Sequence, residues 1–158
     1  MSGGLVAPCN EIEYILPDEE TLKKYDISPS YSIISVIDTL NTGNEVETKV
    51  IAGNTSEIYM SQTGLYMTDY IYTTNDFRCG PNMRCLLPYY SRGENTLIHK
   101  FDVSGLQINY ADSTIIPGNP LTQYSMDESG GYFRIITKKW SPEMETGLYV
   151  LDHNLELV

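Results

Sequence analysis

The chain has 158 residues, which is enough for one domain with a sizeable core and short of two. Its 10 Lys and Arg stand against 21 Asp and Glu, for a formal net charge of −11, and this argues against a nucleic-acid partner because phosphate contacts need clustered basic side chains. Hydrophobic residues make up 41% of the sequence, yet no apolar run approaches the roughly 20 residues of a transmembrane segment.

The first predicted element is a short helix within residues 17–26. Asp18 is its candidate N-cap, acidic residues follow in the first turn, and basic residues lie near its end, where the helix dipole favours cations. Leu22 and Tyr25 are three residues apart and are predicted to face the core. We interpret residues 1–30 as an N-terminal extension that precedes the main fold.

After Ser30 the sequence changes to short β-rich runs separated by Gly, Asn, Asp and Pro. No amphipathic helix separates consecutive runs, which favours an antiparallel meander over βαβ units. The predicted fold class is therefore all-β. The predicted strands are 32–39, 46–51, 57–61, 65–72, 96–103, 106–110, 123–126, 132–137, 148–151 and 155–158.

Internal repetition sharpens this prediction. Asp38, Asp102 and Asp152 each end a strand, ahead of a tight turn and an outgoing strand, where a carboxylate can accept backbone N–H groups. A four-stranded unit of roughly 40–50 residues is the period of a β-propeller blade. The predicted blade-like units are 31–51, 57–110 and 122–158, about two and a half blades. Propellers close with about four to eight blades, so the chain is a fragment, is completed by other chains, or packs as another all-β assembly.

The repeats resemble those of a known family. Ile34–Asp38 and Gln123–Glu128, with the Arg-containing strand Tyr132–Thr137, are similar to the prokaryotic secreted proteins with a C-terminal β-propeller domain, distant relatives of WD repeats. Tyr124 stands where that pattern has Phe. The resemblance implies an excised piece of a longer exported or cell-surface protein, although residues 1–16 show no signal peptide. It brings no catalytic residue or defined ligand, so we expect a noncatalytic protein-interaction scaffold.

Two pairs of residues are candidates for ligand contact. Asp127 and Glu128 lie on a predicted turn, where they offer carboxylates for Ca²⁺ or for a sugar, and where turn formation is the alternative. Tyr89 and Tyr90 suit a carbohydrate or protein contact surface, with cross-strand packing as the alternative. A glycan-binding or glycan-hydrolysing propeller is therefore the second functional hypothesis. No cofactor is predicted beyond this possible Ca²⁺.

The cysteines leave the cellular compartment open. Cys79 and Cys85 flank a Gly-Pro turn that can bring their sulfurs within disulfide reach, or they are free thiols. A disulfide indicates an exported protein, and Cys9 is then left over.

The sequence also predicts the role of His99 and the behaviour of the open sheet edges. His99 shares a strand face with Leu97 and Phe101, so a hydrogen-bonded histidine in a half-buried sheet is expected there instead of a catalytic base. The protein partner is not identified by the sequence. Open sheet edges left by missing blades predict self-association into a homo-oligomer.

Overall fold

The computed structural model describes residues 13–27, 30–41, 43, 46–73, 94–140 and 143–158. Within these residues nearly all regular structure is β-strand, and the all-β prediction is confirmed. The helical elements are α1 (Glu19–Lys24) and a 3-10 helix (Gln123–Ser125). The strands are β1 (Glu13–Ile15), β2 (Tyr25–Asp26), β3 (Tyr31–Val36), β4 (Glu47–Ala52), β5 (Glu57–Met60), β6 (Gly64–Thr73), β7 (Glu94–Ser104), β8 (Gln107–Pro117), β9 (Asn119–Pro120), β10 (Met126–Ser129), β11 (Tyr132–Trp140) and β12 (Met144–Leu151).

The predicted helix α1 is confirmed, with Asp18 as its N-cap. The backbone N–H of Thr21 donates to Asp18 Oδ1 over 2.8 Å, and hydrogen bonds from Thr21 lower the pKa of the Asp18 carboxyl. The prediction that Leu22 faces the core is wrong, because that side chain is 49% exposed. The helix presents Thr21 and Tyr25 to a groove beside β8, which leaves Leu22 on the solvent side.

The strands form three sheets, which we call A, B and C. Sheet A has the order β1-β4-β3, sheet B has β2-β6-β7-β8 with β5 also on β6, and sheet C has β10-β11-β12 with β9 also on β11. Described pairs are antiparallel except β1 with β4, where Tyr14 lies opposite Val50 in a parallel register. The N-terminal segment thus contributes β1 to sheet A and β2 to sheet B. The sequence predicted neither strand, because two or three residues are too few to show a period.

Two predicted strands differ from the structure. Residues 123–125 form a 3-10 helix, because Thr122 Oγ1 accepts from the Tyr124 N–H over 3.3 Å and caps it, and β10 begins only at Met126. Residues 155–158 make a single bridge between Leu157 and Leu151. Leu155 has a positive φ of 58°, which places it in a turn and not in a strand.

Sheet B lies between the other two sheets and is buried on both faces. On one face Leu65, Met67 and Phe101 pack with Ile51 of sheet A. On the other face Tyr66 packs with residues of sheet C such as Phe133. Because successive side chains of a strand point to opposite faces, β6 supplies both cores. This explains why the first six residues of β6 are all buried.

Candidate functional site

The two predicted carboxylates on β10 do not converge on one site. Asp127 lies opposite Arg134 and Glu128 lies opposite Phe133 in the antiparallel register. Asp127 is exposed, and its Oδ2 is 3.0 Å from Arg134 Nη2. Because they are neighbours in one strand, Asp127 and Glu128 point to opposite faces of sheet C. Their role in ligand binding stays a prediction that this geometry does not favour.

Glu128 instead joins sheet C to sheet B. Its carboxylate accepts from Ser61 Oγ over 2.5 Å and from Thr63 Oγ1 over 3.3 Å, both in the β5–β6 turn. Its backbone N–H donates to the Tyr59 hydroxyl over 3.0 Å. Gly64 permits this close approach, since a Cβ there would lie 3.0 Å from Glu128 Oε2. Glu128 thus holds the β5–β6 hairpin of sheet B against strand β10 of sheet C.

An aromatic cluster lies beneath this contact. The rings of Tyr66 and Phe133 stack with centroids 4.0 Å apart and an interplanar angle of 6°, and Tyr59 lies 6.2 Å from Phe133 in a tilted arrangement. Burial, together with the nearby Glu128 charge, raises the pKa of the Tyr66 phenol. Tyr66 therefore stays protonated and acts as a packing group of the B–C interface.

Two of the three predicted turn aspartates do accept backbone N–H groups. Asp38 Oδ1 accepts from Leu40 over 2.9 Å, and Asp152 Oδ1 accepts from Asn154 over 2.9 Å. The prediction that Asp102 ends its strand is wrong, because β7 continues beyond it to Ser104. Its register partner there is Asn109, three residues past the Gly105-Leu106 turn.

The structure explains why the turn near Asp102 is displaced. The backbone N–H of Val103 donates to Thr63 O over 2.8 Å, which extends the pairing of β7 past Asp102. The turn follows at Gly105, whose φ of 60° suits glycine. The Asp102 carboxylate lies 3.4 Å from Lys100 Nζ instead. Lys100, itself buried, also donates to His153 O over 2.8 Å, so this pair joins sheet B to the turn after β12.

A buried acid that the sequence analysis missed lies between sheets A and B. Asp69 on β6 is 4% exposed, and its Oδ2 accepts from the Asn54 N–H over 3.1 Å. Gly53, with a φ of 130°, lets the β4–β5 connection pass this close to the carboxylate. Burial raises the pKa of Asp69 to about 6. An Asp in the middle of the apolar run Leu65–Tyr72 was the available signal.

His99 is a packing residue, as its strand face indicated. Its side chain is 4% exposed, and Nδ1 lies 3.3 Å from the Tyr110 hydroxyl. Burial lowers the pKa of His99 to about 4. The imidazole is therefore neutral at physiological pH.

The remaining predicted site residues lie outside the described residues. These are Tyr89, Tyr90, Cys79 and Cys85. In the part of the chain that the structure does describe, no group of three or more His, Cys, Asp or Glu side chains could hold a metal ion. Over the same residues, neither helical element is long and apolar enough to cross a membrane.

Concave surface is found beside helix α1. A groove of about 390 Å³ runs between α1 and the C-terminal half of β8, with Asp18, Tyr25 and Ile115 among its lining residues. It is open and shallow. Asp127 and Glu128, the predicted contact residues that the structure describes, do not line it.

The outer face of sheet C carries an exposed apolar pair. Ile136 and Leu148 lie directly opposite each other on β11 and β12 and are 45% and 64% exposed. Their neighbours on the same face include Arg134 and Lys138, because Phe133, Ile135 and Thr137 point into the core. A central apolar pair with charged residues beside it has the composition of a protein contact surface.

Comparisons with known proteins identify the fold family. An uncharacterized protein of Archaeoglobus fulgidus is 38% identical over 82 residues, which covers 44% of this chain and 12% of that relative. The chain therefore spans a small part of that relative's length. No solved structure matches the chain. A family model described as "Beta propeller domain" matches residues 6–158. The chain belongs to the beta propeller domain family, as its three stacked sheets and blade-like repeats indicated.

Proposed function

We propose that the chain is a noncatalytic scaffold for protein contacts, exported or displayed at the cell surface. The observation that supports this most directly is the outer face of sheet C, with the exposed pair Ile136 and Leu148 at its centre. Large apolar patches on a soluble protein mark contact sites.

The chemistry of this face indicates the kind of partner. The opposite face of sheet C buries Phe133 and Ile135 against sheet B, so apolar sheet faces are the means by which this molecule makes its own contacts. The outer face adds Lys138 to an apolar centre, beside the Arg134–Asp127 ion pair, in a chain whose net charge is −11. We expect a partner protein with an apolar centre and an acidic margin.

The buried titratable groups support a noncatalytic role. Asp69, His99 and Tyr66 all have pKa values displaced by burial, and such groups are the usual candidates for catalysis. Each contacts a neighbouring strand or loop and faces packed protein. Asp69 and Tyr66 make contacts between sheets, His99 contacts Tyr110 within sheet B, and no reaction is needed to explain them.

Partner capture followed by reconstitution tests the proposal. The immobilised chain is compared with Leu148→Glu, which places a charge on the outer face of sheet C, and with Leu106→Glu, which changes another exposed leucine, in the β7–β8 turn. A captured protein is then purified and titrated by calorimetry. We expect wild type and Leu106→Glu to bind it alike and Leu148→Glu to bind at least tenfold more weakly. Equal binding by all three chains contradicts the proposal.

The catalytic and glycan alternatives have their own test. A glycan array and a hydrolysis assay are run on wild type, Asp127→Asn and Glu128→Gln. Binding or turnover that either substitution abolishes would replace the scaffold proposal with the glycan one.

The exported location is tested separately. A nonreducing gel with thiol counting shows whether Cys79 and Cys85 pair, and free thiols at both positions in protein from the native source argue against export.

A further inference from the structure

We propose that a second copy of this chain pairs with the free edge of strand β3 and forms a two-fold symmetric dimer. This goes beyond the proposed partner surface, because it uses the backbone of sheet A at the opposite end of the stack from the outer face of sheet C. The two can therefore be tested independently.

Strand β3 is an edge strand without the features that normally protect one. Sheet A has the order β1-β4-β3, so β3 has β4 on one side and no described strand on the other. Its sequence, Tyr31-Ser-Ile-Ile-Ser-Val36, has no charge, proline or glycine and is rich in residues that favour strands. Natural edge strands are kept from pairing by charges, prolines, bulges or shortness. An uncharged six-residue strand with high β-propensity is a typical pairing sequence.

The other described edge strands are protected. Each is very short, carries an acidic residue or contains proline, and β8 also faces a register irregularity at Lys100/Phe101. Strands β1 and β2 have only three and two residues. The protecting residues in the others are Glu57 in β5, Asp112 and Pro117 in β8, Pro120 in β9, Asp127 and Glu128 in β10, and Glu145 in β12. In a chain of net charge −11, self-pairing at any of the acidic edges would bring like charges together. Strand β3 lacks this repulsion.

The hydrogen-bond pattern shows which backbone groups of β3 face the free side. The Gly53 N–H donates to Ser30 O over 2.8 Å, at the position that continues the β3–β4 register. Directly opposite residues in an antiparallel pair alternate between bonded and non-bonded pairs. The even-numbered residues of β3 therefore bond to β4. Tyr31, Ile33 and Ser35 direct their backbone N–H and C=O groups towards the free edge.

These groups fix the register of the dimer. An antiparallel partner centred on a two-fold axis at Ile33 places Ile33 opposite Ile33 of the partner subunit, and Tyr31 opposite Ser35 of the partner subunit. Every outward-directed backbone group then meets another, and residues on the same face remain on the same face. Tyr31 and Ile33, each 67% exposed in the single chain, form an apolar stripe with their symmetry mates. The product is a continuous six-stranded sheet.

Opposite charges at position 33 test both the edge and the register. Sedimentation velocity should give wild type a mass of twice 17.8 kDa. Ile33→Lys and Ile33→Glu should each be monomeric, because like charges then meet across the axis, and an equimolar mixture of the two should recover the dimer. Leu148→Glu, on sheet C, should stay dimeric even if it loses the proposed partner. A monomeric wild type, or dimers in both single variants, would overturn the proposal.

A cysteine cross-link tests the same register without relying on charge. In a hydrogen-bonded antiparallel pair the opposing Cα atoms lie about 5.5 Å apart, within the range of a disulfide. Ile33→Cys should therefore form a covalent dimer on a nonreducing gel. Ser35→Cys is the matched control, because its two copies are four residues, or about 14 Å, apart along the ladder. Cross-linking of Ser35→Cys but not of Ile33→Cys contradicts the register.

Discussion

The buried carboxyl of Asp69 should make the stability of the fold depend on pH. Asp69 is 4% exposed, and its Oδ2 accepts from the Asn54 N–H at 3.1 Å. Replacing Asp69 with Asn removes the charge and keeps the shape and an acceptor for Asn54. This substitution therefore isolates the cost of ionising the carboxyl group in its buried position.

The size of the effect follows from the displaced pKa. Burial raises the pKa of Asp69 from 3.8 to about 6, and each pKa unit corresponds to about 1.36 kcal/mol. Ionised Asp69 thus destabilises the folded state by about 3 kcal/mol. Because the folded pKa lies above the unfolded one, the folded state holds its proton longer. Stability therefore falls as pH rises from about 4 to about 6, and is level with respect to this group above that range.

Urea unfolding at a series of pH values measures this directly. The difference in unfolding free energy, Asp69→Asn minus wild type, should rise by about 3 kcal/mol between pH 3 and pH 7. Asp127→Asn, at an exposed carboxylate of the same chain, serves as the control for removing a carboxylate that is not buried. Parallel profiles for wild type and Asp69→Asn would refute the reasoning, because they would mean that the carboxyl stays hydrated in the folded state.

Three further substitutions test the contacts that join and shape the sheets. Glu128→Ala should lower the unfolding free energy by about 1–3 kcal/mol, because it loses the hydrogen bonds to Ser61 and Thr63. The control Asp127→Ala should lower it by less than about 1 kcal/mol, and equal losses in urea unfolding would contradict this. Phe133→Ala should lower the unfolding free energy by about 3–5 kcal/mol, because the ring is buried against Tyr66. Ile136→Ala on the exposed face should lower it far less, and a small loss for Phe133→Ala would count against a core between sheets B and C. Gly118→Ala should have a much lower melting temperature than Gly130→Ala. A Cβ at position 118 would lie 2.8 Å from Lys138 O, whereas a Cβ at position 130 would enter open space. Similar melting temperatures for the two variants would contradict this close approach.

Local sequence patterns predicted most of the fold. Short apolar runs divided by turn residues located β3 to β7 within about three residues and the start of β8, whose end lies seven residues beyond the prediction, and the capping position of Asp18 located α1. These features depend on residues within one or two turns of each other. The sheet memberships of β1 and β2 could not be predicted in this way, because strands of two or three residues are defined by their partners and carry no period of their own.

The predicted contact residues show a second limit of local patterns. Asp127 and Glu128 are adjacent and look alike in sequence, but one pairs with Arg134 on an exposed face and the other accepts from Ser61 across a sheet interface. Their difference is set by strand alternation and by a hairpin more than sixty residues earlier in the chain. Asp102 repeats the point, since the Val103 contact to Thr63 carries β7 past the turn that its sequence suggested.

The same reasoning explains why the β3 edge becomes significant only with the structure. Tyr31–Val36 and Leu65–Tyr72 both read as good strands in the sequence, yet β6 is enclosed by β5, β2 and β7 while β3 has β4 alone among its described neighbours. An interior strand satisfies its backbone groups within its own sheet and needs no protection. An edge strand exposes them, and its lack of charge then determines how readily another copy can add to it. The position of β3 at the edge of sheet A therefore makes Tyr31–Val36 the candidate interface. Substitutions at Ile33 test that conclusion.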